Sequence, residues 1–455
     1  MPQPLTIPRS SAAPPSGTTR LTPLQWLICG IAALGFAFDL YEVLVLPLVL
    51  RPALASLGSL APGTTAFDRW VSLLFYVPAL IGGAFGLVGG YLIDRLGRRR
   101  VLVWSIVLYT VSAFMASQAN TLLQLLVFRC TTTAGVAVEY VAAITWLAEL
   151  FPDPRRRESV LGYTQSAAAL GGLMATSAYY AAVSYAGLLP PIRMAHEAWR
   201  YTLLFGLAPA IALLFVRPFL PESTTWKEHR RLGTLKRPRI AELFEPALTQ
   251  TTLTTTLLYA CAYAIAFGVL QQTPRIIPGL PDVHSLGPRE LEQTVGRVQF
   301  IGELGTLAGR VLFAFLVVRI ASQRRLLRTF LVPGAIAVST VYFYAATQSL
   351  VLLQYGVFIA ALCMNGPLSF WWNYWPRVYP LHVRGTGEGF AQNVGGRMLG
   401  TFAAVVTTEL AVFIPGSDAA HRLAYAAAIV AVVVYAVSLV ASMGLPEPAG
   451  DRLPD

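Results

Sequence analysis

The chain has 455 residues, of which 55% are hydrophobic and only 13% charged, and its formal net charge is +11. Soluble proteins carry about 25% charged residues, so this composition excludes a chain that covers a water-facing surface and makes the bilayer its solvent. The basic excess does not mark a nucleic-acid binder, because Lys and Arg cluster in short loops between apolar runs instead of lining one polar face.

Residues 1–23 are rich in Pro and Ser and lack the charged start, apolar middle and cleavage site of a signal peptide, which predicts a disordered cytoplasmic tail. A spanning helix needs about 20 mostly apolar residues. Twelve such runs follow, at roughly 24–50, 69–92, 101–118, 121–150, 158–187, 199–219, 248–271, 293–319, 326–347, 350–376, 385–414 and 419–443. Residues 221–247 form the longest polar interruption and separate six spans from six, which predicts lobes at 24–220 and 248–443 joined by a cytoplasmic linker. Residues 444–455 are a second cytoplasmic tail. With the N-terminus inside, 23 of the 34 basic residues fall on the cytoplasmic side, so both termini are expected there.

Several elements carry distinctive residues. The first span contains FAFDLYE, 36–42, with Asp39 and Glu42. Between the second and third spans lies GYLIDRLGRRR, 90–100, whose Arg95, Arg98, Arg99 and Arg100 cannot sit in hydrocarbon and predict a short cytoplasmic loop. The fourth span reads RCTTTAGVAVEYVAAITWLAELFP, 129–152. The linker opens on PESTTW, 221–226. An internal repeat relates ELFPDPRRRESVLGYTQ, 149–165, to RVYPLHVRGTGEGFAQ, 377–392. A degraded copy of the first arginine loop stands at VRIASQRRLL, 318–327, with Val318 in the place of Asp94 and Ala321 in that of Gly97. Two repeated six-span halves with a site between them are a transporter design. Cys29, Cys130, Cys261 and Cys363 lie far apart in apolar segments, with neither disulfide nor zinc spacing, and read as small core residues.

These motifs together resemble the major facilitator superfamily over nearly the whole chain. The fourth span, PESTTW, FAFDLYE and VRGTGEGFAQNVGGR, 383–397, are similar to its sugar-porter-like and metabolite or organic acid:proton symporter branches. The resemblance implies an all-α integral membrane protein with twelve transmembrane helices in two pseudo-symmetric six-helix lobes. It departs from the pattern at Thr133, Ala137 and Val138, where glycines are common, and at Arg377, where an acid is usual.

Charges inside a span cost roughly 2.5–3.5 kcal/mol each on insertion scales, so each is a functional candidate. They are Asp39, Glu42, Arg129, Glu139, Glu303, Arg310 and Arg397. Asp39 and Glu42 share a helix face and should titrate as a unit, which suits proton loading; a fixed ion pair with an arginine is the competing reading. By resemblance, Asp39 with Arg129 forms the proton switch, although Arg129 has the planar fork to bind a substrate carboxylate directly. Glu139, beside Tyr140, suits an inter-helix hydrogen bond. Gly90, Asp94, Arg95, Gly97 and Arg98, with Glu149 and Arg156, resemble the network that latches the lobes on the cytoplasmic side. Glu303 and Arg310, about two turns apart on the eighth span, can contact substrate or pair with Asn393 and Arg397 on the eleventh. Asn365, Trp371 and Tyr374 from NGPLSFWWNYWP, 365–376, join Tyr140, Tyr259 and Tyr263 in an expected aromatic, hydrogen-bonding pocket. An interfacial belt accounts for Trp375 and Trp372. Gln271 and Gln272 lie too near the outer end to count.

The expected activity is proton-coupled symport of a small polar metabolite by alternating access, with an organic acid first, a sugar or polyol second and drug efflux third. No His/Glu metal pair, nucleophile elbow or phosphate loop occurs, so neither enzyme chemistry nor a cofactor or metal is expected. The expected partners are the substrate, protons and the lipid bilayer, with no nucleic acid. The chain is expected to work as a monomer in the plasma (inner) membrane.

Overall fold

In hydrocarbon every backbone N–H and C=O must be satisfied within its own segment, so apolar runs of this length fold as helices. The computed structural model describes residues 22–448, apart from 152–159, 161–163, 165–166, 217–226, 228–230, 232–238 and 381–382. Its helices are α1 (Pro23–Gly58), α2 (Thr65–Leu96), α3 (Arg98–Ser117), α4 (Leu122–Leu150), α5 (Ala169–Tyr185), α6 (Ala198–Phe215), α7 (Thr249–Gly279), α8 (Pro288–Val317), α9 (Gln323–Gln348), α10 (Leu350–Val378), α11 (Arg384–Phe413) and α12 (Ala419–Ala441). Eleven of them are long and apolar enough to span a membrane, and α5, described over 17 residues, is the twelfth.

The two halves repeat one another. α1 packs on α5 and α2 on α4 in the first half, as α7 packs on α11 and α8 on α10 in the second. The halves meet where α2 packs on α11 and α5 on α8. Close approach needs small residues, and Gly305 and Gly309, four apart on α8, rest on the backbone of α10 at Phe358 and Leu362 with no room for a Cβ. The bundle is apolar outside: Trp104, Val111, Phe315 and Val433 are exposed, as lipid-facing side chains must be.

The arginine-rich loop is shorter than the sequence suggests. α2 continues to Leu96 and α3 starts at Arg98, so the chain reverses at Gly97 alone. Gly97 has φ 96°, a conformation a side chain would oppose, which explains a glycine between so many arginines. Most of the expected linker, 221–247, lies outside the described residues; its end forms a short 3₁₀ turn at Ile240–Phe244. Residues 1–21 and 449–455 lie outside them too.

The start of the expected C-terminal tail is held in place. Gln250 Nε2 donates to the Gly444 carbonyl at 3.1 Å and Tyr374 Oη to that of Pro446 at 2.6 Å. Glu447 accepts from the Ser322 hydroxyl at 2.7 Å and from the backbone N–H groups of Gln323 and Arg324 at 3.0 Å, closing the N-terminus of α9. Burial alone would raise the Glu447 carboxyl, but these hydrogen bonds and the Arg324 charge hold it below the usual glutamate range. A depressed folded value contributes stability above the unfolded pKa, about 4.3, and loses it as pH falls through the folded one. Glu447→Gln should therefore lower stability at pH 7 by about 1 kcal/mol or less, because the site is exposed. Thermal melting of both proteins across pH should show the difference close in acid; a constant difference would contradict it.

At the end of the bundle opposite Gly97, here the far end, polar bridges cross between the halves. Arg51 of α1 pairs with Glu292 of α8, which also accepts from Tyr179 of α5. Arg275 of α7 pairs with Asp68 of α2 at 2.8 Å. The far end is thus closed.

Candidate functional site

A cavity of about 240 Å³ lies between the halves, lined from α1, α2, α4 and Ala168 just before α5 on one side and α7, α8, α10 and α11 on the other. Asp39, 5% exposed, lines it from α1. The resemblance implies an Asp39–Arg129 pair, but the short contacts of Arg129 run to Glu42. Its Nη1 donates to Glu42 Oε2 at 3.1 Å and its Nη2 to the Glu42 backbone carbonyl at 2.6 Å. Glu42 is 1% exposed and Arg129 3%, so the pair neutralises two charges that could not be buried singly. It ties α1 to α4, and Asp39 is the α1 carboxyl on the cavity wall. Glu139 is fully buried.

Across the cavity, Glu303 and Arg310 of α8, Asn365 of α10 and Arg397 of α11 contribute polar groups. Asn365 Nδ2 donates to Thr306 Oγ1 at 2.9 Å and to the Ala361 carbonyl at 3.0 Å, which fixes its amide. Arg397 Nη1 donates to Asn393 Oδ1 at 3.1 Å, and among the described residues no carboxylate pairs with it. Arg397 lies in a π-helical stretch, Ala391–Gly400, a geometry frequent at functional sites. Gly395 and Gly396 in that stretch press on Thr256 and Tyr259 of α7, closer than any Cβ would permit, and so bring Arg397 up to the aromatic wall.

That wall has two parts. Tyr140 meets Phe36 at 5.4 Å between ring centres and reaches across the halves to Trp372 at 6.2 Å. Tyr259 and Tyr263 stand 5.1 Å apart on α7. The cavity therefore offers a cation among aromatic faces, with amides at its margins.

Several expectations are corrected. Trp371 does not line this cavity: it is 1% exposed and packs behind the wall against Tyr259, Phe370 and Tyr374, whereas Trp372, assigned to an interfacial belt, faces the cavity. Trp375 is not interfacial either, being fully buried against Tyr259 and Trp372. Tyr374 is not on the cavity wall, and its hydroxyl donates to the Pro446 carbonyl of the C-terminal segment. Asn393 packs on Gly86 of α2 and orients Arg397, outside the cavity wall. Gln271 does line the cavity, because α7 breaks at Leu270–Gln272 and turns it inward. Gln299 and Gln392 line it as well; Gln299 carried no sequence signal, whereas Gln392 closes the repeat at 377–392.

At the Gly97 end, Arg98 is 5% exposed and grips Glu149 with Nη2 at 2.7 Å and Nε at 3.0 Å, joining α3 to α4. Arg95 is exposed and bonds Tyr91 at 3.2 Å. The surroundings of Gly90, the side chain of Asp94 and all of Arg156 lie outside what the structure describes.

The two tryptophans make a direct test of the wall. Trp372→Ala should weaken ligand binding about two- to tenfold, the loss of one aromatic contact. Trp371→Ala should instead lower thermal stability, by about 3–5 kcal/mol for a buried tryptophan, and leave affinity nearly unchanged. Binding and melting curves of both variants check this; the reverse pattern would contradict the assignment.

Residues 27–405 match the family model described as Major Facilitator Superfamily. The chain is 27% identical over 416 residues to a probable 4-methylmuconolactone transporter of Cupriavidus pinatubonensis, covering 91% of this chain and 89% of that one. It is 24% identical over 409 residues to the niacin transporter NiaP of Acinetobacter baylyi, covering 85% and 88%. The crystal structure of a D-xylose-proton symporter superposes with a TM-score of 0.72 at 18% identity, over 94% of this chain and 99% of that one.

Proposed function

The chain belongs to the Major Facilitator Superfamily and is a membrane transporter, not an enzyme, and from that premise we propose that it is a proton-coupled symporter importing a small, planar organic acid. The observation that carries this reading is Arg397. A cation whose partner among the described residues is a neutral amide, on a cavity wall of aromatic rings, is a receptor for a carboxylate attached to a flat body. The cavity of about 240 Å³ is smaller than the roughly 300–1,000 Å³ of drug-sized sites, which favours a metabolite over a drug. Niacin, named for one relative, is itself a flat aromatic acid.

Asp39 is the coupling group in this account. It lines the cavity from α1, within reach of whatever fills that space, whereas Glu42 is paired with Arg129 and does not line the cavity. Substrate and proton load from the far end, that end closes, and the halves rock to release both at the Gly97 end. That end is the cytoplasmic one by its arginines, in the plasma membrane.

A second reading, a sugar or polyol, draws on Gln271, Gln299, Gln392 and Asn365, whose amides suit hydroxyl groups. Thermal stabilisation of the purified carrier by benzoate, by xylose and by a lipophilic cation separates the readings. A ligand that binds the fold stabilises it by RT ln(1 + [L]/Kd). Stabilisation by benzoate alone supports the acid, and stabilisation by xylose alone overturns it.

A further inference from the structure

α5 and α8 meet at the boundary between the halves. There the Glu303 carboxyl of α8 is seated on Gly172 of α5, so closely that a Cβ at that position would displace it. Glu303 Oε2 is buried and has no hydrogen-bond partner among the described residues, nor does any ion pair there hold the group.

The surrounding charges, Arg310 first among them, offset this only in part. Arg310, on α8 itself, is about 10 Å further along the axis. Across the cavity stand Asp39 on α1, Tyr140 on α4, Tyr259 on α7 and Arg397 on α11, while Arg129 is held by Glu42. The two helices packed directly on α8 face the group with neutral side chains. α10 presents Asn365, whose amide is committed to Thr306 and Ala361. On α5, Thr176 is bonded back to the Gly172 carbonyl, and Tyr179 is bonded to Glu292 nearer the far end. A bare carboxylate pressed into such a notch costs several kcal/mol, whereas the neutral acid fits it.

The notch exists only while α5 and α8 are together, which is also the condition for the Glu292 bridges to Tyr179 and Arg51. We propose that Glu303 is a proton-operated seat between the halves. As the acid it rests on Gly172 and holds the far end closed. As the carboxylate it leaves the notch and the far end opens.

The inference rests on the reading of this chain as a proton-coupled carrier but assigns Glu303 a role unlike that of Asp39. Asp39 hands its proton across with the substrate. Glu303 takes its proton from the far side and returns it there. It therefore sets the pH at which the far end closes, not the energy available for accumulation.

The test uses the full chain with its four cysteines replaced by serine and spin labels at Leu188 and Ser285, both exposed at the far end. Pulsed EPR distances are measured from pH 5 to pH 9. In the otherwise unaltered carrier the closed-to-open ratio should change by about tenfold or more over that range, as expected for one linked proton. Glu303→Gln, fixed in the neutral form, should stay closed throughout, with less than about a twofold change. Gly172→Ala fills the notch and should stay open throughout. Glu303→Gln should also slow the initial rate of pH-driven uptake, because a far end held closed seldom loads substrate. A wild-type distance that ignores pH overturns the inference, and so does either variant that keeps the full pH response. Gly172→Ala decides alone if Glu303→Gln fails to fold. Absence of pH-driven accumulation in the wild type itself overturns the carrier reading, a result distinct from either variant outcome.

Discussion

Asp39→Asn is expected to abolish uphill accumulation while leaving exchange of substrate across the membrane largely intact. One proton per substrate, driven by a gradient of two pH units, supplies about 2.7 kcal/mol and permits roughly hundredfold accumulation. The variant should reach equality of inside and outside concentrations and no more. Asparagine keeps the size and hydrogen-bonding capacity of the side chain, so binding and the rocking of the halves should survive. Asp39 carries this prediction instead of Glu42 because Glu42 is paired with Arg129 and does not line the cavity. Glu42→Gln should behave differently: it leaves the Arg129 charge buried without its partner, and the cost, about 3–5 kcal/mol, falls on stability. Counterflow and gradient-driven uptake, measured together in proteoliposomes, check the pair. Full accumulation by Asp39→Asn would contradict the coupling role.

Arg397→Lys is expected to weaken binding of a planar acid by about tenfold or more, equivalent to about 1.4 kcal/mol. Lysine keeps the charge but loses the fork that grips both carboxylate oxygens and the Asn393 amide at once. Arg129→Lys should cost stability more than affinity, because the fork of Arg129 is spent on the Glu42 side chain and backbone. The contrast separates a substrate arginine from a structural one. Isothermal titration with benzoate on the wild type and both variants reads it directly. Unchanged affinity in Arg397→Lys would remove Arg397 from the site, and a large affinity loss confined to Arg129→Lys would move the carboxylate to the other half.

The spans and their number were legible because hydrocarbon permits so few backbone solutions, and the two-lobed plan followed from the repeat of 149–165 at 377–392. The polar members of the cavity were legible for the same reason: a charge at membrane depth is too costly to be incidental, and Asp39, Glu303, Arg310 and Arg397 all line it. Direction around a helix was not. Trp371 and Trp372 are neighbours pointing about 100° apart, and only the packing of α10 on α7 decides which one sees the cavity. Gln271 was set aside by its distance along the chain, yet the break after Gly268 changes the direction of α7 and returns it to the wall. The partner of Arg129 was also beyond a pattern of spacing, since Asp39 and Glu42 lie one turn apart and the arginine reaches the second of them. At Gly97 the sequence pointed to a loop, while the backbone needed one residue.

The measurement closest to the central claim is accumulation of labelled benzoate by proteoliposomes holding the wild-type carrier, acid outside, with the gradient collapsed by a protonophore in a parallel sample and empty liposomes as the control for passive entry. The account predicts saturable uptake that overshoots the outside concentration, is lost on collapse of the gradient, and is displaced by other flat carboxylates but not by xylose. Uptake indifferent to the gradient, or an overshoot seen with xylose and not with benzoate, would contradict it.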